Sequence, residues 1–130
     1  NDQSSTYQFN CIFDEKSKQS EVFDEVKPLV ISALDGENIC IFAYGPTGSG
    51  KTYTMQGDIA NLLVNEDSLS EKSGILPRTA FFLYEEFQRR HNSGQRFSMM
   101  LSAIEIYNEN IFDLLDETTT VKKSYINGFI

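Results

Sequence analysis

Ile39-Cys40-Ile41-Phe42-Ala43-Tyr44-Gly45-Pro46-Thr47-Gly48-Ser49-Gly50-Lys51-Thr52 runs from an apolar stretch into a complete G-x-x-x-x-G-K-[ST] motif. A polyphosphate carries several negative charges, and a glycine-rich turn between a strand and a helix is one of the few backbone arrangements with enough N–H donors to hold it. Gly45, Gly48 and Gly50 let the chain turn sharply and let phosphates approach without a Cβ in the way. The helix expected to begin near Gly50 adds unpaired amides and a partial positive charge. Lys51 is expected to reach the β- and γ-phosphate oxygens, and the Thr52 hydroxyl to ligate a Mg²⁺ that bridges them. A chance glycine turn is the plain alternative, and the strand before the motif weakens it.

Outward from the loop, the chain reads as alternating strands and helices. Tyr7, Phe9, Cys11 and Phe13 alternate with mostly polar neighbours, as a strand with one face inward. Ser20 is the expected N-cap of a helix with Glu21 in its first turn. Its stripe is Val22, Phe23, Val26, Leu29, Val30, Ala33 and Leu34, Gly36 closes it, and Pro28 is expected to kink it or leave a carbonyl unbonded. Residues 39–44, apolar throughout, suit a strand covered on both faces. Residues 58–73 form an acidic, exposed loop, and Pro77 opens a helix to about His91, with Leu83, Tyr84 and Phe87 inward and Gly94 beyond its end. Phe97, Met99, Leu101 and Ala103 then alternate along a strand that Ile104 and Ile106 continue. The pattern predicts an α/β fold of P-loop NTPase type: a mainly parallel sheet with flanking helices.

The formal charge is −8 at pH 7, which argues against nucleic acid or an acidic membrane surface as a partner. No apolar stretch approaches the length needed to cross a bilayer. Cys11 and Cys40 fall in the expected strands without paired-cysteine spacing, so both are expected to be reduced and buried. His91 sits near a helix C-terminus beside Arg89 and Arg90, where its interaction with the helix dipole is the simple account. Glu105, Glu109 and Asp113 invite a general-base reading, but Glu105 lies on a strand pattern and the i, i+4 spacing matters only on a shared helix.

The words around the loop are more specific than the loop. Asn38 to Gly45 running into Gly50-Lys51-Thr52-Tyr53-Thr54-Met55 resembles the kinesin motor domain pattern N-x-C-I-F-A-Y-G-Q-T-G-S-G-K-T-x-T-M. Phe9 to Asp14 looks like the family's F-x-F-D-x-V-F region, and Val22-Phe23 with Pro28-Leu29-Val30 matches V-F-x-x-V-x-P-L-V. Gly74-Ile75-Leu76-Pro77-Arg78 resembles G-I-I-P-R, and Glu105-Ile106-Tyr107-Asn108-Glu109 with Asp113-Leu114-Leu115 reproduces E-I-Y-N-E-x-I-x-D-L-L. The resemblance covers about residues 7–115, with an echo in 124–130. Leu34-Asp35-Gly36-x-Asn38 leans toward the C-terminal, minus-end-directed group.

The resemblance implies that residues 1–130 are the N-terminal, P-loop portion of a motor domain, an incomplete kinesin motor fold. The parent then binds ATP or ADP with Mg²⁺, couples microtubule-stimulated hydrolysis to movement, and works on microtubules in the cytoplasm as a dimer joined by a coiled coil outside this chain. It also implies that Tyr53 abuts the adenine, with core packing as the alternative. The nucleotide contacts are then Gly45, Pro46, Thr47, Gly48, Ser49, Gly50, Lys51, Thr52 and Tyr53, with Thr52 on the metal. Neither N-x-x-S-S-R nor D-x-x-G, the family's two switch segments, occurs, so no catalytic residue lies in this stretch, and alone it is expected not to turn over. A non-hydrolysing kinesin-like binding or regulatory subunit is the alternative.

Two departures from the family pattern stand out. Pro46 replaces the usual Gln and removes one loop amide, and Ala103 replaces a common aromatic, which implies a cavity or a shifted helix. Lys122 and Lys123 are the only basic pair near a family track contact, and two solvated lysines are the simpler reading. The acidic stretch 58–73 matches a surface loop of variable length in the family, with a regulatory or drug-binding site as the rival view.

Overall fold

The computed structural model describes residues 5–58, 63–65, 68–96 and 98–115. Lys122, Lys123 and the 124–130 echo lie outside them, as do Phe97 and the acidic pair Glu66-Asp67. The chain divides into two units, Asn1–Gly94 and Gln95–Ile130.

The first unit is built on α1 (Gln19–Leu34), α2 (Lys51–Met55) and α3 (Ile75–Asn92), with a small antiparallel pair, β1 (Leu63–Asn65) and β2 (Ser68–Leu69). The N-cap of α1 is Lys18, two residues before the expected Ser20. Glu21 explains the shift: its carboxylate accepts the Lys18 amide at 2.7 Å, the reciprocal half of a capping box that needs no hydroxyl at the cap. Pro28 leaves α1 continuous. It supplies no N–H to the Asp24 carbonyl, one turn earlier on an exposed residue, where water can serve instead.

Phe23 and Val30, two turns apart on one face of α1, are buried, as is Ile75 at the start of α3. The two helices pack against each other. Leu29 and Ala33 are exposed, so the buried stripe of α1 is narrower than its apolar pattern. Between the helices runs a groove of about 390 Å³, walled by Lys27, Ile31 and Leu34 on one side and Phe82, Glu86 and Arg89 on the other. Lys27 Nζ sits 4.9 Å from the centre of the Phe82 ring. On α3 it is Phe82, Leu83 and Phe87 that are partly covered, whereas Tyr84, expected inward, is exposed. Gly94, at φ +86°, follows the helix end as expected and donates to the His91 carbonyl at 2.9 Å.

The stretch 58–73 is closed at its base. Gly57 and Ser73 form an antiparallel bridge, Asp58 N–H donates to Lys72 O at 3.1 Å, and Gly74 N–H donates to Gln56 O at 3.2 Å. Ser73 is fully buried there. The backbones come so close that a Cβ on Gly74 would lie 2.7 Å from Gly57 N and Met55 O, and one on Gly57 would strike Lys72 O. Glycine is required at both positions for that reason.

The second unit is a hairpin of β3 (Ile104–Tyr107) and β4 (Asn110–Asp113), paired Ile104↔Asp113 to Tyr107↔Asn110. Asn108 and Glu109 form its turn with φ +48° and +63°, the left-handed pair that matches the twist of two antiparallel strands. Ile111 is buried, and Leu114 N–H extends the ladder to Ala103 O at 2.8 Å.

The expected strands at 7–13 and 39–44, and the 99–102 part of the run that continues into β3, carry no ladder, and every ladder among the described residues is antiparallel and two-stranded. The expected parallel core is therefore not formed within them. A parallel pair needs strands far apart in sequence, and these runs meet none among the described residues. Within 39–44 the Phe42 and Tyr44 rings stack with centroids 6.4 Å apart, the contact that i and i+2 side chains on one face of an extended run make. Their exposure follows: 81 % for Phe42 and 90 % for Tyr44. Cys11 and Cys40 are free thiols as expected, but exposed rather than buried, because no element among the described residues layers over these runs.

Candidate functional site

The loop from Gly45 to Thr52 folds as a turn followed by a helix start. Ser49 N–H donates to Pro46 O at 3.2 Å, and Thr54 N–H closes the first helical bond on Gly50 O at 2.8 Å. Gly50 is the N-cap of α2 in the left-handed region, φ +88° and ψ +11°, and Gly48 has φ +81°. A Cβ at either would meet nothing within 4 Å, so the backbone angle alone demands glycine. Among the described residues, the amides of Thr47, Gly48, Gly50, Lys51 and Thr52 donate to no protein acceptor. Pro46 has no amide to offer. The loop's donors thus begin beyond it, and the departure from Gln removes a group upstream of the cluster.

Lys51, half-buried, turns its ammonium back over the loop, donating to Gly45 O at 2.8 Å and Pro46 O at 2.7 Å. An ammonium has three N–H groups, so one remains for an anion. Thr52 is exposed beside it, and the Tyr53 ring is 53 % exposed. Five unengaged amides, a tethered ammonium, a hydroxyl and an aromatic face lie within nine consecutive residues. That set of donors fits a polyphosphate with a divalent cation.

Two residues support this region that the sequence patterns did not single out. Gln19, only 6 % exposed, donates its side-chain amide to Tyr53 O at 2.7 Å and so ties α1 to α2. Arg78 donates Nε to Ser73 O at 2.8 Å and Nη2 to Ser70 O and Glu71 O at 3.3 and 3.0 Å, fastening the base of the 58–73 stretch. Arg78 lies in the quoted Gly-Ile-Leu-Pro-Arg word, which hints at a fixed role. Nothing local marks Gln19.

The remaining candidates are ordinary in geometry. His91 lies exposed in the last turn of α3 with Arg89 and Arg90, where cations suit the helix dipole. Glu86 accepts from Arg89 at 2.8 Å and Arg90 at 3.3 Å, and the Arg89 hydrogen bond foremost holds its carboxyl below the usual glutamate range. Glu105 pairs with Phe112 and Asp113 with Ile104, so the three carboxylates near the hairpin share no helix face. Among the described residues no cluster of three or more His, Cys, Asp or Glu is placed to hold a metal, and no helix is long and apolar enough to cross a membrane.

The family model for the kinesin motor domain matches residues 1–128. The chain belongs to the kinesin motor domain family. Among curated kinesin relatives, the protein claret segregational of Drosophila melanogaster is 44 % identical over 84 % of this chain and 14 % of its own length. Kinesin-like protein KIN-14D of Arabidopsis thaliana is 43 % identical over 88 % of this chain and 14 % of its own. Carboxy-terminal kinesin 2 of Xenopus laevis is 40 % identical over 92 % and 17 %. The lean toward the C-terminal group agrees with these relatives, and the chain spans only a small part of each.

Among solved structures, the Drosophila kinesin Kin10/NOD, crystallised with divalent manganese and ADP, superposes with a TM-score of 0.63 at 31 % identity, over 91 % of this chain and 40 % of that one. NOD docked with bovine tubulin into a cryo-EM map of its microtubule complex gives 0.64 at 32 % identity, over 84 % and 37 %. The α/β, P-loop NTPase-type fold is thereby established, and this chain covers part of a kinesin motor fold.

Proposed function

We propose that this chain is the ATP-binding P-loop portion of a kinesin-like microtubule motor. The unengaged amides of Thr47, Gly48, Gly50, Lys51 and Thr52, with the Lys51 ammonium tethered to the same loop, carry the reading. In it, the backbone from Gly45 to Thr52 cradles the β- and γ-phosphates, Lys51 turns its remaining N–H toward them, and Tyr53 offers its face to the base. The Thr52 hydroxyl would be the residue to hold a Mg²⁺ beside those phosphates, an oxygen donor of the kind this ion favours. When bound, such a metal would supply neutralisation of phosphate charge, and the residues of this chain would grip and orient the phosphates. NOD's manganese and ADP support the pairing of nucleotide with divalent cation.

The parent motor in this reading couples hydrolysis to movement on microtubules in the cytoplasm and pairs through a coiled coil elsewhere in its sequence. Hydrolysis needs an attacking water placed in line and stabilisation of developing charge, and these 130 residues contain neither switch segment. The isolated chain therefore does not turn over. A non-hydrolysing regulatory subunit is the weaker reading, since Lys51 and Thr52 are both intact.

Titrating a fluorescent ADP with Mg²⁺ into the parent motor domain tests the site. Lys51→Ala should raise Kd about a hundredfold, as loss of charge-assisted hydrogen bonds to phosphate predicts. Equal binding by the variant and the natural protein would sink the assignment. Microtubule-stimulated phosphate release by the isolated chain would overturn the claim that it lacks turnover.

A further inference from the structure

The helix carrying Lys51, Thr52 and Tyr53 is short, only five residues, and its last turn must find donors for its carbonyls. Thr52 O receives the Gln56 amide at 2.7 Å. Tyr53 O would ordinarily receive the amide of Gly57. Gly57 instead turns off at φ +81° to bridge Ser73, and its neighbours Gln56 and Asp58 bond to Gly74 and Lys72. The carbonyl of Tyr53 is served from outside the helix, by Gln19 Nε2 at 2.7 Å across 34 residues of sequence. Gln19 is the first residue of α1 and almost wholly buried, a place where an amide side chain is unfavourable unless it is bonded.

We propose that Gln19 is a positioning residue for the nucleotide site: by holding the Tyr53 carbonyl it sets the end of α2, and with it the angle at which the Tyr53 ring meets the base of a bound nucleotide. The inference rests on the nucleotide reading above. Loop amides and Lys51 precede this bond along the chain and are organised by Gly48, Gly50 and the carbonyls of Gly45 and Pro46. Removing the bond therefore loosens the base end of the site more than the phosphate end. The effect is on ligand binding at a distance from any contact of Gln19 with ligand.

The test compares ADP with inorganic tripolyphosphate, which shares the phosphate grip and lacks a base, on the full-length parent protein with Mg²⁺. Gln19→Met keeps the length of the side chain and removes the donor. It is expected to raise Kd for ADP roughly threefold to tenfold, the span of one hydrogen bond, while tripolyphosphate binding stays within about twofold. In a Tyr53→Leu background the same change should have no further effect on ADP, because the ring it positions is gone. Gln19→Glu, of the same length and unable to donate when ionised, supplies a second variant should the first not fold. Unchanged ADP affinity overturns the proposal, as do equal losses for ADP and tripolyphosphate or additive losses with Tyr53→Leu, which would mark a general structural role. Failure of the natural protein to bind either ligand would instead overturn the nucleotide reading itself.

Discussion

Gly50 holds φ +88° with open space where a Cβ would go, so Gly50→Ala changes only the backbone energy. A left-handed alanine is strained by about 1–2 kcal/mol, and relaxing it would re-aim the first amides of α2. Under the proposed nucleotide reading, the expected result is about a tenfold weaker hold on ADP together with a melting temperature lowered by a few degrees, read by titration and thermal denaturation. At Glu86 the sign of the pH effect follows from its lowered carboxyl pKa, caused first by the Arg89 hydrogen bond and then by the two cationic charges. Its contribution is complete above the ordinary glutamate range and is lost as pH falls through the lowered value. An NMR titration of the carboxylate should give a midpoint below that range which rises in Arg89→Ala, and added salt should shrink the difference because the pair is exposed.

Among the elements, the hairpin β3–β4 pays for its turn. Glu109 adopts φ +63° without the side-chain bonding that lets Asn tolerate that region. Glu109→Gly should stabilise the hairpin by about 1 kcal/mol, seen as slower hydrogen exchange across 104–113. At the base of the 58–73 stretch, Gly74→Ala would press a methyl against Gly57 N and Met55 O, and overpacking of this kind costs about 1–3 kcal/mol. Thermal unfolding and faster proteolysis within 58–73 would report it. These elements also show what the residues disclosed in advance. The loop and the three helices were legible because their signals are local: glycines at left-handed positions, apolar residues at helical spacing, Gly94 beyond α3. Strand pairing was not, since the partner of a run such as 39–44 is chosen by distant chain. The Asn108-Glu109 turn escaped notice for want of a glycine, and the Lys18 cap because Ser20 offered the more familiar hydroxyl. Gln19 was invisible for a different reason: a polar residue at a helix start looks solvated until the chain 34 residues later is brought against it.

For the molecule as a whole, apolar exposure and charge pull in opposite directions. Phe42, Tyr44, Met100 and Leu101 are all open to solvent, and 39–44 keeps its backbone donors and acceptors unladdered among the described residues. A net charge of −8 opposes association through repulsion that salt screens. The isolated chain is therefore expected to self-associate more at high ionic strength than at low, the reverse of an assembly driven by opposite charges. Sedimentation velocity at two salt concentrations decides it, and a size independent of salt would count against the exposed runs as the cause. The crossing of Gly57 and Gly74 bears on the molecule's history as well. With the two backbones latched at that point and Arg78 bolting the return limb, the stretch between them is a side branch, tolerant of insertion because closing a loop twice as long adds only about 0.6 kcal/mol. Kinship to other chains should therefore fade fastest there, and a reporter spliced into that branch should leave the proposed nucleotide site on the main trunk undisturbed.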